Sequence, residues 1–178
     1  MKFLTILEYE QLRKHFKRKT DKSTLMLYIL LITGARFSEV NRMTYKDLYY
    51  KPGLIHLPGT KTENADREIE VSDSVLNYIK KAISKHPQKI NGDLFGLSHN
   101  AISTVFNKAK MEFNINDEIT PYSLRHTHAS YLISKGISVE YISKRLGHAN
   151  ISITLEVYNH LLDEHKKEQG QRVRELFS

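Results

Sequence analysis

The sequence contains no cysteine and no tryptophan, and it has only four prolines among its 178 residues. The lack of cysteine excludes a disulfide framework, a thiolate zinc site and a cysteine nucleophile. The longest apolar run, residues 25–32, has eight residues, whereas a membrane-spanning helix needs about 20. Acidic residues follow the first Met closely, at Glu8 and Glu10, so the start has no apolar signal-peptide region. We therefore expect a cytoplasmic protein without a membrane partner.

Positive charge is in moderate excess, with 27 Lys and Arg against 20 Asp and Glu, a net charge of +7 and a pI near 9.4. A polyanion is the first candidate partner for such a chain, although a solubilising surface charge would give the same number. The chain has no internal repeat, low-complexity stretch or Ser/Gly-rich linker. Its length predicts a single domain over residues 1–178, with a core of about 5–160 and a helical tail at 163–178.

Local patterns predict a mainly helical α+β protein with one small antiparallel sheet. Thr5 and Glu8 form the pattern of a capping box, so a helix is expected to begin there and to run to about Phe16. Residues 53–57 and 68–71 read as the two strands of a hairpin with a polar tip. Thr120 followed by Pro121 predicts a helix N-terminus at that point. Further helices are expected from a cap at Asp21 or Ser23 to Thr33, at 73–84, 98–113 and 138–146, and from about 151 onwards.

Four short fragments stand out because of their order along the chain. They are TGARFSE at 33–39, GTKT at 59–62, TPYSLRHT at 120–127, and LGH at 146–148 with Tyr158 ten residues later. Each fragment is weak evidence alone. Together, in this order, they resemble the catalytic domain of the tyrosine recombinases, the phage integrase family. The resemblance extends from Thr5 to Tyr158 and implies the fold of that catalytic domain.

The resemblance assigns a role to each of five residues. Arg36 and Arg125 are expected to bind the scissile phosphate, because guanidinium groups form bidentate hydrogen bonds with phosphate oxygens. Lys61 is expected to protonate the leaving 5′-oxygen, and His148 to contact a non-bridging oxygen. Tyr158 is expected to be the nucleophile. A phenol with a pKa near 10 needs neighbouring cations for this task, and the two arginines and the lysine would supply them.

Each of these residues also has an ordinary structural interpretation when it is taken alone. Arg36 pairs readily with Glu39 three positions on, an exposed hairpin lysine is common, and a histidine after a glycine often caps a helix. Tyr158 shares a helical face with the apolar residues 151, 155 and 162. Glu39 is assigned a supporting role, orienting Arg36 or Arg125. It also stabilises the first turn of its own helix through the helix dipole.

One position departs from the family pattern, which usually has histidine where this chain has Tyr122. A tyrosine donates a hydrogen bond but is a poor base at neutral pH. We therefore expect Tyr122 to keep a phosphate contact, while base catalysis weakens or moves to another group.

The His-x-His segment at His126 and His128 invites a metal interpretation. Residues two positions apart on a helix point to different sides, and helical zinc pairs use a spacing of four. No metal or cofactor site is therefore predicted. His126 is expected to bond to backbone or to Glu39 within the core.

The resemblance implies a site-specific DNA recombinase of a phage or mobile element. Such an enzyme cleaves and rejoins double-stranded DNA through a 3′-phosphotyrosyl intermediate, without ATP or metal. It also implies a homotetramer on DNA, accessory DNA-bending proteins and a place on the bacterial nucleoid. The apolar stripe of the tail would dock on a neighbouring protomer or fold back on its own domain. The family's N-terminal core-binding domain has no counterpart before Thr5, so a catalytic fragment is expected.

Two other functions remain open from the sequence. Residues 137–158 mimic a helix-turn-helix, with Ile142, Leu146, Ile151 and Leu155 as core positions, so a DNA-binding module without chemistry is one alternative. A type IB-like topoisomerase, which relaxes supercoils through the same phosphotyrosine chemistry, is the other. A relative that binds DNA but is disabled by Tyr122 belongs with the first alternative.

Overall fold

A computed structural model describes residues 2–59 and 66–178 of the chain. The described residues form ten α-helices and one two-stranded antiparallel sheet, which confirms the expected α+β class. No helix in these ranges is long and apolar enough to cross a membrane. The elements are α1 (Ile6–Phe16), α2 (Lys22–Thr33), α3 (Phe37–Asn41), α4 (Tyr45–Leu48), β1 (Leu54–Leu57), β2 (Arg67–Glu70), α5 (Asp73–Ile83), α6 (His99–Phe113), α7 (Ser123–Ser134), α8 (Val139–Leu146), α9 (Ser152–Glu164) and α10 (Lys166–Leu176).

Short-range capping fixes the ends of the first two helices. The Thr5 hydroxyl accepts from the Glu8 backbone N–H at 3.2 Å, and the Glu8 carboxylate accepts from the Thr5 N–H at 2.7 Å. This is the predicted capping box. Asp21 caps α2 by accepting from the Thr24 N–H at 2.9 Å. Gly34 ends α2 in the left-handed conformation, with φ of 67°, and this ending directs the chain towards Arg36.

Helix α2 is the centre of the molecule. Its apolar sequence leaves no polar face, and nine of its residues are buried. It packs against α1, α3, α5, α6 and α7, so the large core surrounds it on all sides. A second, smaller apolar cluster lies between α7, α8 and α9, and its buried members are Ala129, Ile142, Leu146 and Val157.

The hairpin of β1 and β2 has the expected antiparallel pairing, with Leu54 opposite Glu70 and Leu57 opposite Arg67. Its strands begin or end one residue away from the predicted limits. In β2 the inward positions are Arg67 and Ile69, while Glu68 and Glu70 are exposed. Because an arginine occupies an inward position of a strand, it needs a carboxylate partner inside the protein.

The start of α7 differs from the prediction. Thr120 does not cap a helix at Pro121, because a turn held by the Ser123 N–H on the Thr120 carbonyl (2.9 Å) comes first. The helix begins at Ser123, whose hydroxyl accepts from the Thr120 N–H at 3.1 Å. Arg125 is therefore the third residue of α7, and it lies one turn from the helix N-terminus.

The helix-turn-helix interpretation of α8 and α9 is only half correct. Ile142 and Leu146 are buried as expected, but Ile151 and Leu155 are each 37% exposed. The buried residues of α9 are instead Thr154 and Val157, which face α7 and α8. The apolar positions that would form the core of a helix-turn-helix therefore lie at the surface.

The tail forms α10 and leaves its apolar stripe in solvent. Val173, Leu176 and Phe177 are 53%, 79% and 87% exposed. Of the two alternatives for the tail, folding back on its own domain is therefore not what the structure adopts.

Candidate active site

Arg125 joins three distant parts of the chain at one point. Its side chain is buried, and its guanidinium donates to the Gly34 carbonyl at 2.8 Å and to the Leu146 carbonyl at 2.6 Å. Both carbonyls belong to helix C-termini, which lack intrahelical donors. One bonded carbonyl precedes Arg36 by two residues and the other precedes His148 by two residues. Three of the predicted fragments therefore converge on the Arg125 guanidinium.

Arg36 stands at the N-terminus of α3 beside Glu39. The Glu39 carboxylate accepts from the Arg36 backbone N–H at 2.6 Å and from the Arg36 guanidinium at 3.0 Å. The Arg36 side chain remains 39% exposed. Glu39 therefore holds the arginine in place while part of its side chain stays open to solvent. The ordinary pairing with Glu39 and a phosphate-binding role are therefore compatible.

Glu39 is a buried carboxylate shared by two arginines. The Arg67 guanidinium donates to both Glu39 oxygens, at 2.8 and 3.1 Å, and its Nε donates to the Arg145 carbonyl at 2.7 Å. Hydrogen bonds from Arg67 and Arg36 hold the pKa of Glu39 below its ordinary value, although burial opposes this. Glu39 thus supports Arg36, as predicted. Its other partner is Arg67 rather than Arg125.

Three arginines share one carboxylate among residues 2–59 and 66–178. Arg36 and Arg67 bond to Glu39, and Arg125 lies near it. Burial and the neighbouring Arg36 lower the pKa of Arg125 to about 9. Positive charge held in low dielectric attracts an anion strongly. The arrangement therefore suits a phosphate group that bridges Arg36 and Arg125.

His148 lies at the C-terminal end of α8 and faces this cationic cluster. Gly147 ends α8 with φ of 67°, and the His148 N–H bonds to the Ser143 carbonyl at 3.0 Å, which completes a Schellman-type ending. Burial and the adjacent Arg125 and Arg36 lower the pKa of His148 to about 3. The imidazole is therefore neutral at physiological pH.

Thr154 is the hydrogen-bond partner of the His148 ring. The Thr154 hydroxyl lies 2.7 Å from His148 Nδ1 and is fully buried. Because this hydroxyl has no other partner in the described part of the chain, we infer that it donates to Nδ1. In that tautomer His148 Nε2 carries the ring proton and donates. A donor at Nε2 is what contact with a non-bridging phosphate oxygen requires.

Tyr158 lies on the same helix as Thr154, one turn further along. Residues four apart on a helix share a face, so Tyr158 is on the side of α9 that approaches His148. Its side chain is half-buried. Within residues 2–59 and 66–178 its hydroxyl forms no hydrogen bond. The structure therefore gathers Arg36, Arg125 and His148 directly and connects Tyr158 to them through α9.

Comparison with known proteins agrees with this geometry. The sequence profile described as the Phage integrase family matches residues 2–165. The chain belongs to the phage integrase family. A tyrosine recombinase of Pseudothermotoga lettingae is 28% identical over 167 residues, which is 92% of this chain and 58% of that protein.

Solved structures of the family share the fold. The crystal structure of XerA recombinase matches with a TM-score of 0.79 at 21% identity, covering 98% of this chain and 64% of the other. XerH recombinase bound to palindromic difH substrate matches with a TM-score of 0.77 at 20% identity, covering 97% of this chain and 53% of that one. The chain spans between 49% and 63% of the length of the curated relatives it matches.

Tyr122, the residue that departs from the phage integrase pattern, lies at the surface beside Arg36. Its side chain is 66% exposed and lines a shallow cleft with Arg36, Phe37 and His99. Its ring meets that of His126 edge-on, with centroids 5.6 Å apart. The expectation that His126 bonds to backbone or to Glu39 is wrong, because among the described residues its ring has no hydrogen bond and arginines occupy the Glu39 carboxylate. A phosphate contact by Tyr122 stays a prediction.

Lys61, the expected general acid of this family member, lies outside the described residues. The strands that flank its segment are anchored near the site. Arg67 begins β2 and bonds to Glu39, and His56 on β1 bridges the carboxylates of Asp47 and Asp66 at 2.6 and 2.7 Å. The ends of the hairpin strands are therefore held next to the arginines of the site by the contact of Arg67 with Glu39.

Two site-supporting residues, Arg145 and His128, were not predicted. Arg145 Nε donates to Nε2 of the buried His128 at 3.1 Å, and His128 Nδ1 donates to the Leu31 carbonyl at 3.1 Å. Arg145 also donates to the Glu70 backbone carbonyl, and its own carbonyl accepts from Arg67. This network links α2, α7, α8 and β2 next to the site of Arg36 and Arg125. One sequence signal indicates this network, namely the inward position of Arg67 in the alternation of β2.

No group of three or more His, Cys, Asp or Glu residues able to hold a metal ion occurs within 2–59 and 66–178. His126 and His128 face different surroundings, as their spacing predicts.

Proposed function

We propose that the chain is the catalytic part of a site-specific DNA recombinase that cuts and rejoins DNA through a phosphotyrosyl link. The observation that carries the proposal is the convergence of Arg36, Arg125 and His148 around two helix C-termini. An arrangement of fixed donors that converge on one point is suited to stabilising a phosphoryl transition state.

The first step is attack by the Tyr158 hydroxyl oxygen on a DNA phosphodiester. The new bond joins the tyrosine oxygen to phosphorus, the bond from phosphorus to the 5′-oxygen breaks, and the 3′-phosphate stays on the protein. Arg36 and Arg125 hold the non-bridging oxygens, and the Nε2 proton of His148 adds a third donor. The Tyr158 proton passes to solvent water as the bond to phosphorus forms, and we assign to Lys61 the donation of a proton to the leaving 5′-oxygen.

Rejoining is the reverse of this step with a second 5′-hydroxyl as attacking group. The phosphotyrosyl bond retains the energy of the original diester, so the exchange needs no ATP. Arginine and lysine supply the positive charge, so the scheme calls for no metal. Tyr122 stands where a base is usual in the family, and we assign it hydrogen bonding to the phosphate and no proton transfer.

We infer double-stranded DNA as the partner and a homotetramer as the working assembly. The XerH relative is described as bound to its DNA substrate, which supports the first inference. The exposed apolar residues of α9 and α10, among them Leu155, Leu162, Leu176 and Phe177, support contact between protomers. Accessory DNA-bending proteins belong to the same proposal.

The test is a nicked duplex that traps the covalent intermediate, taken from DNA that flanks the coding gene. The parent protein is expected to give a DNA-shifted band on a denaturing gel, and Tyr158→Phe is expected to give none. Tyr49→Phe, which removes an exposed hydroxyl elsewhere, is the matched control and should behave as the parent does.

A band that persists in Tyr158→Phe would assign the nucleophile to another residue. No band on a duplex that the protein demonstrably binds would favour a binding function without chemistry. Relaxation of a supercoiled plasmid that lacks any recognition site would indicate a topoisomerase instead.

A further inference from the structure

The net positive charge of the chain is confined to two short segments. Residues 17–22 contain four bases and one acid, and residues 80–89 contain four bases and no acid. Their combined net charge of +7 equals that of the whole chain, so the remainder of the sequence is neutral. Such confinement is typical of an electrostatic footprint and differs from an evenly charged, solubilising surface.

The fold brings the two segments together. The Tyr78 hydroxyl in the middle of α5 donates to the Lys19 carbonyl at 3.1 Å, and Nε2 of His86, just after α5, donates to the Thr20 carbonyl at 2.5 Å. Lys17 Nζ lies 5.7 Å from the centre of the Tyr78 ring. The end of α1, the start of α2 and the end of α5 thus form one surface. We call it the basic surface, and its cations are Lys17, Arg18, Lys19, Lys22, Lys80, Lys81, Lys85 and Lys89.

The cations of the basic surface lack anionic partners. Among the described residues, none of the eight lies within 4.0 Å of a carboxylate, whereas Arg13, Lys51 and Arg145 elsewhere do pair with one. The one acid in the segment, Asp21, uses its carboxylate to cap α2. Burial and the nearby Lys89 lower the pKa of Lys22, which is consistent with crowding of like charge.

The basic surface is distant from the catalytic arginines. Lys22 begins α2 and Gly34, the carbonyl partner of Arg125, ends it. A helix of 12 residues is about 18 Å long. The catalytic cluster and the basic surface therefore lie at opposite ends of the central helix, and a phosphate held by Arg36 and Arg125 is beyond the reach of these lysines.

We propose that the basic surface binds the phosphate backbone of duplex DNA at a second stretch, separate from the one held at the catalytic arginines. This inference rests on the proposed function, because it takes duplex DNA as the substrate. Seven of the eight cations are lysines, which act as point charges and read no base sequence. The contact is therefore independent of sequence and serves to hold flanking or partner DNA.

The test measures how the affinity for a non-specific duplex of about 30 base pairs depends on salt, with each phosphate contact contributing a log–log slope of about −0.9. The variant combines Lys19→Gln, Lys85→Gln and Lys89→Gln. Its control combines Lys108→Gln, Lys135→Gln and Lys166→Gln, which remove the same charge from exposed sites elsewhere. We expect the slope of the variant to be shallower by about 2 to 3 and that of the control to match the parent.

Position is tested by crosslinking. Because the chain has no cysteine, a photo-crosslinker on Lys89→Cys labels one site only. We expect it to capture the duplex while the same label on Lys108→Cys does not. Protection of the Lys89→Cys site by polyglutamate but not by duplex DNA would assign the surface to an acidic protein and overturn the proposal.

The two proposals fail separately. A parent protein that forms the Tyr158 adduct, together with a triple variant whose salt slope equals that of the parent, would overturn the basic surface alone. A shallower slope in a protein that forms no adduct would support the basic surface as a DNA contact and contradict the recombinase function.

Discussion

At the residue scale, the chemistry depends on side chains whose charge or proton is fixed by one or two neighbours. Arg125 is held by two backbone carbonyls, Arg36 by Glu39, and His148 by Thr154. Groups fixed in this way need little reorganisation when negative charge develops on the phosphate. Under the proposed function these residues are positioned before DNA binds, and loss of a neighbour is expected to affect the reaction more than the fold.

Thr154 provides a test of the His148 tautomer. Thr154→Val keeps the buried volume but removes the hydroxyl, so Nδ1 can take the proton and Nε2 then no longer donates. We expect adduct formation to slow by about 10- to 100-fold, with DNA affinity unchanged. Thr154→Ser restores the hydroxyl and should restore the rate. Equal rates for the valine and serine variants would show that Thr154 acts only through packing.

His128 provides a test of pH dependence. Burial and the neighbouring Arg145 lower its pKa to about 3, so the unfolded chain binds a proton at a pH where the folded chain does not. This stability is present above pH 6.5 and is lost as the pH falls towards 3. Between pH 7.5 and 5.5 the loss from His128 is about 1.4 kcal/mol.

The measurement is urea unfolding of the parent and of His128→Gln at both pH values. Glutamine offers Arg145 an acceptor and does not titrate, so the variant should lose about 1.4 kcal/mol less than the parent over this interval. His148 remains in both proteins, and its contribution cancels in the comparison. An identical pH dependence in the two proteins would contradict the buried, neutral state of His128.

At the element scale, the site is built from helix ends. Helix α2 ends at Gly34, α8 ends at Gly147 and α7 begins two residues before Arg125. Helix C-termini offer unpaired carbonyls, and the Arg125 guanidinium satisfies one at each of two helices. Close packing of the α2 end against α7 and α8 therefore determines where Arg125 lies.

Gly34→Ala tests this packing. Gly34 has φ of +67°, and a Cβ there would lie 2.4 Å from a Leu146 methyl and 2.9 Å from the His128 ring. Gly136 also has positive φ, of +78°, but a Cβ there meets nothing within 4 Å. Both alanine variants bear the left-handed strain of about 1–2 kcal/mol. Gly34→Ala should lose a further 1–3 kcal/mol, roughly, from overpacking.

Thermal or urea unfolding of the two glycine variants checks this expectation. Equal losses in both would mean that the α2 ending is not tightly packed against α8. If Gly34→Ala keeps its fold, its adduct formation should also fall, because the Gly34 carbonyl is a partner of Arg125.

Most elements were predictable because their signals are local. The Thr5 and Asp21 caps and the endings at Gly34 and Gly147 lie within a few residues of what they control. The predicted start of α7 is wrong because the Ser123 hydroxyl accepts from the Thr120 N–H, so that a turn precedes the helix. The contact of Glu39 with Arg67 joins residues 28 positions apart, and that of Arg145 with His128 joins residues 17 positions apart. Only folding makes such neighbours, and the one local pattern that indicates them is the inward position of Arg67 in β2.

At the scale of the whole molecule, the surface divides into chemically different regions. The proposed catalytic cluster lies at one end of α2 and the basic surface at the other. The apolar stripe of α10 stands in solvent, although burial of such side chains is favourable by about 1.5–3 kcal/mol each. This stripe is consistent with the proposed contact between protomers.

The combination of Val173→Ser, Leu176→Ser and Phe177→Ser tests that contact. These side chains are exposed, so the free energy of unfolding should stay within about 0.5 kcal/mol of the parent. We expect the variant to bind DNA but to form fewer higher-order complexes, as measured by light scattering of the DNA-bound protein. Arg172→Ser with Glu175→Ser, which leaves the net charge unchanged, is the control. Unchanged assembly in the apolar variant would exclude this role of the stripe.

The most direct measurement is to locate the DNA-linked amino acid by mass spectrometry of the trapped adduct. Trypsin releases residues 146–166 as one peptide, in which Tyr158 is the single tyrosine. We predict that the nucleotide mass left after nuclease digestion lies on this peptide. The same mass on residues 111–125, whose single tyrosine is Tyr122, or on any other peptide would contradict the assignment of Tyr158 as the nucleophile.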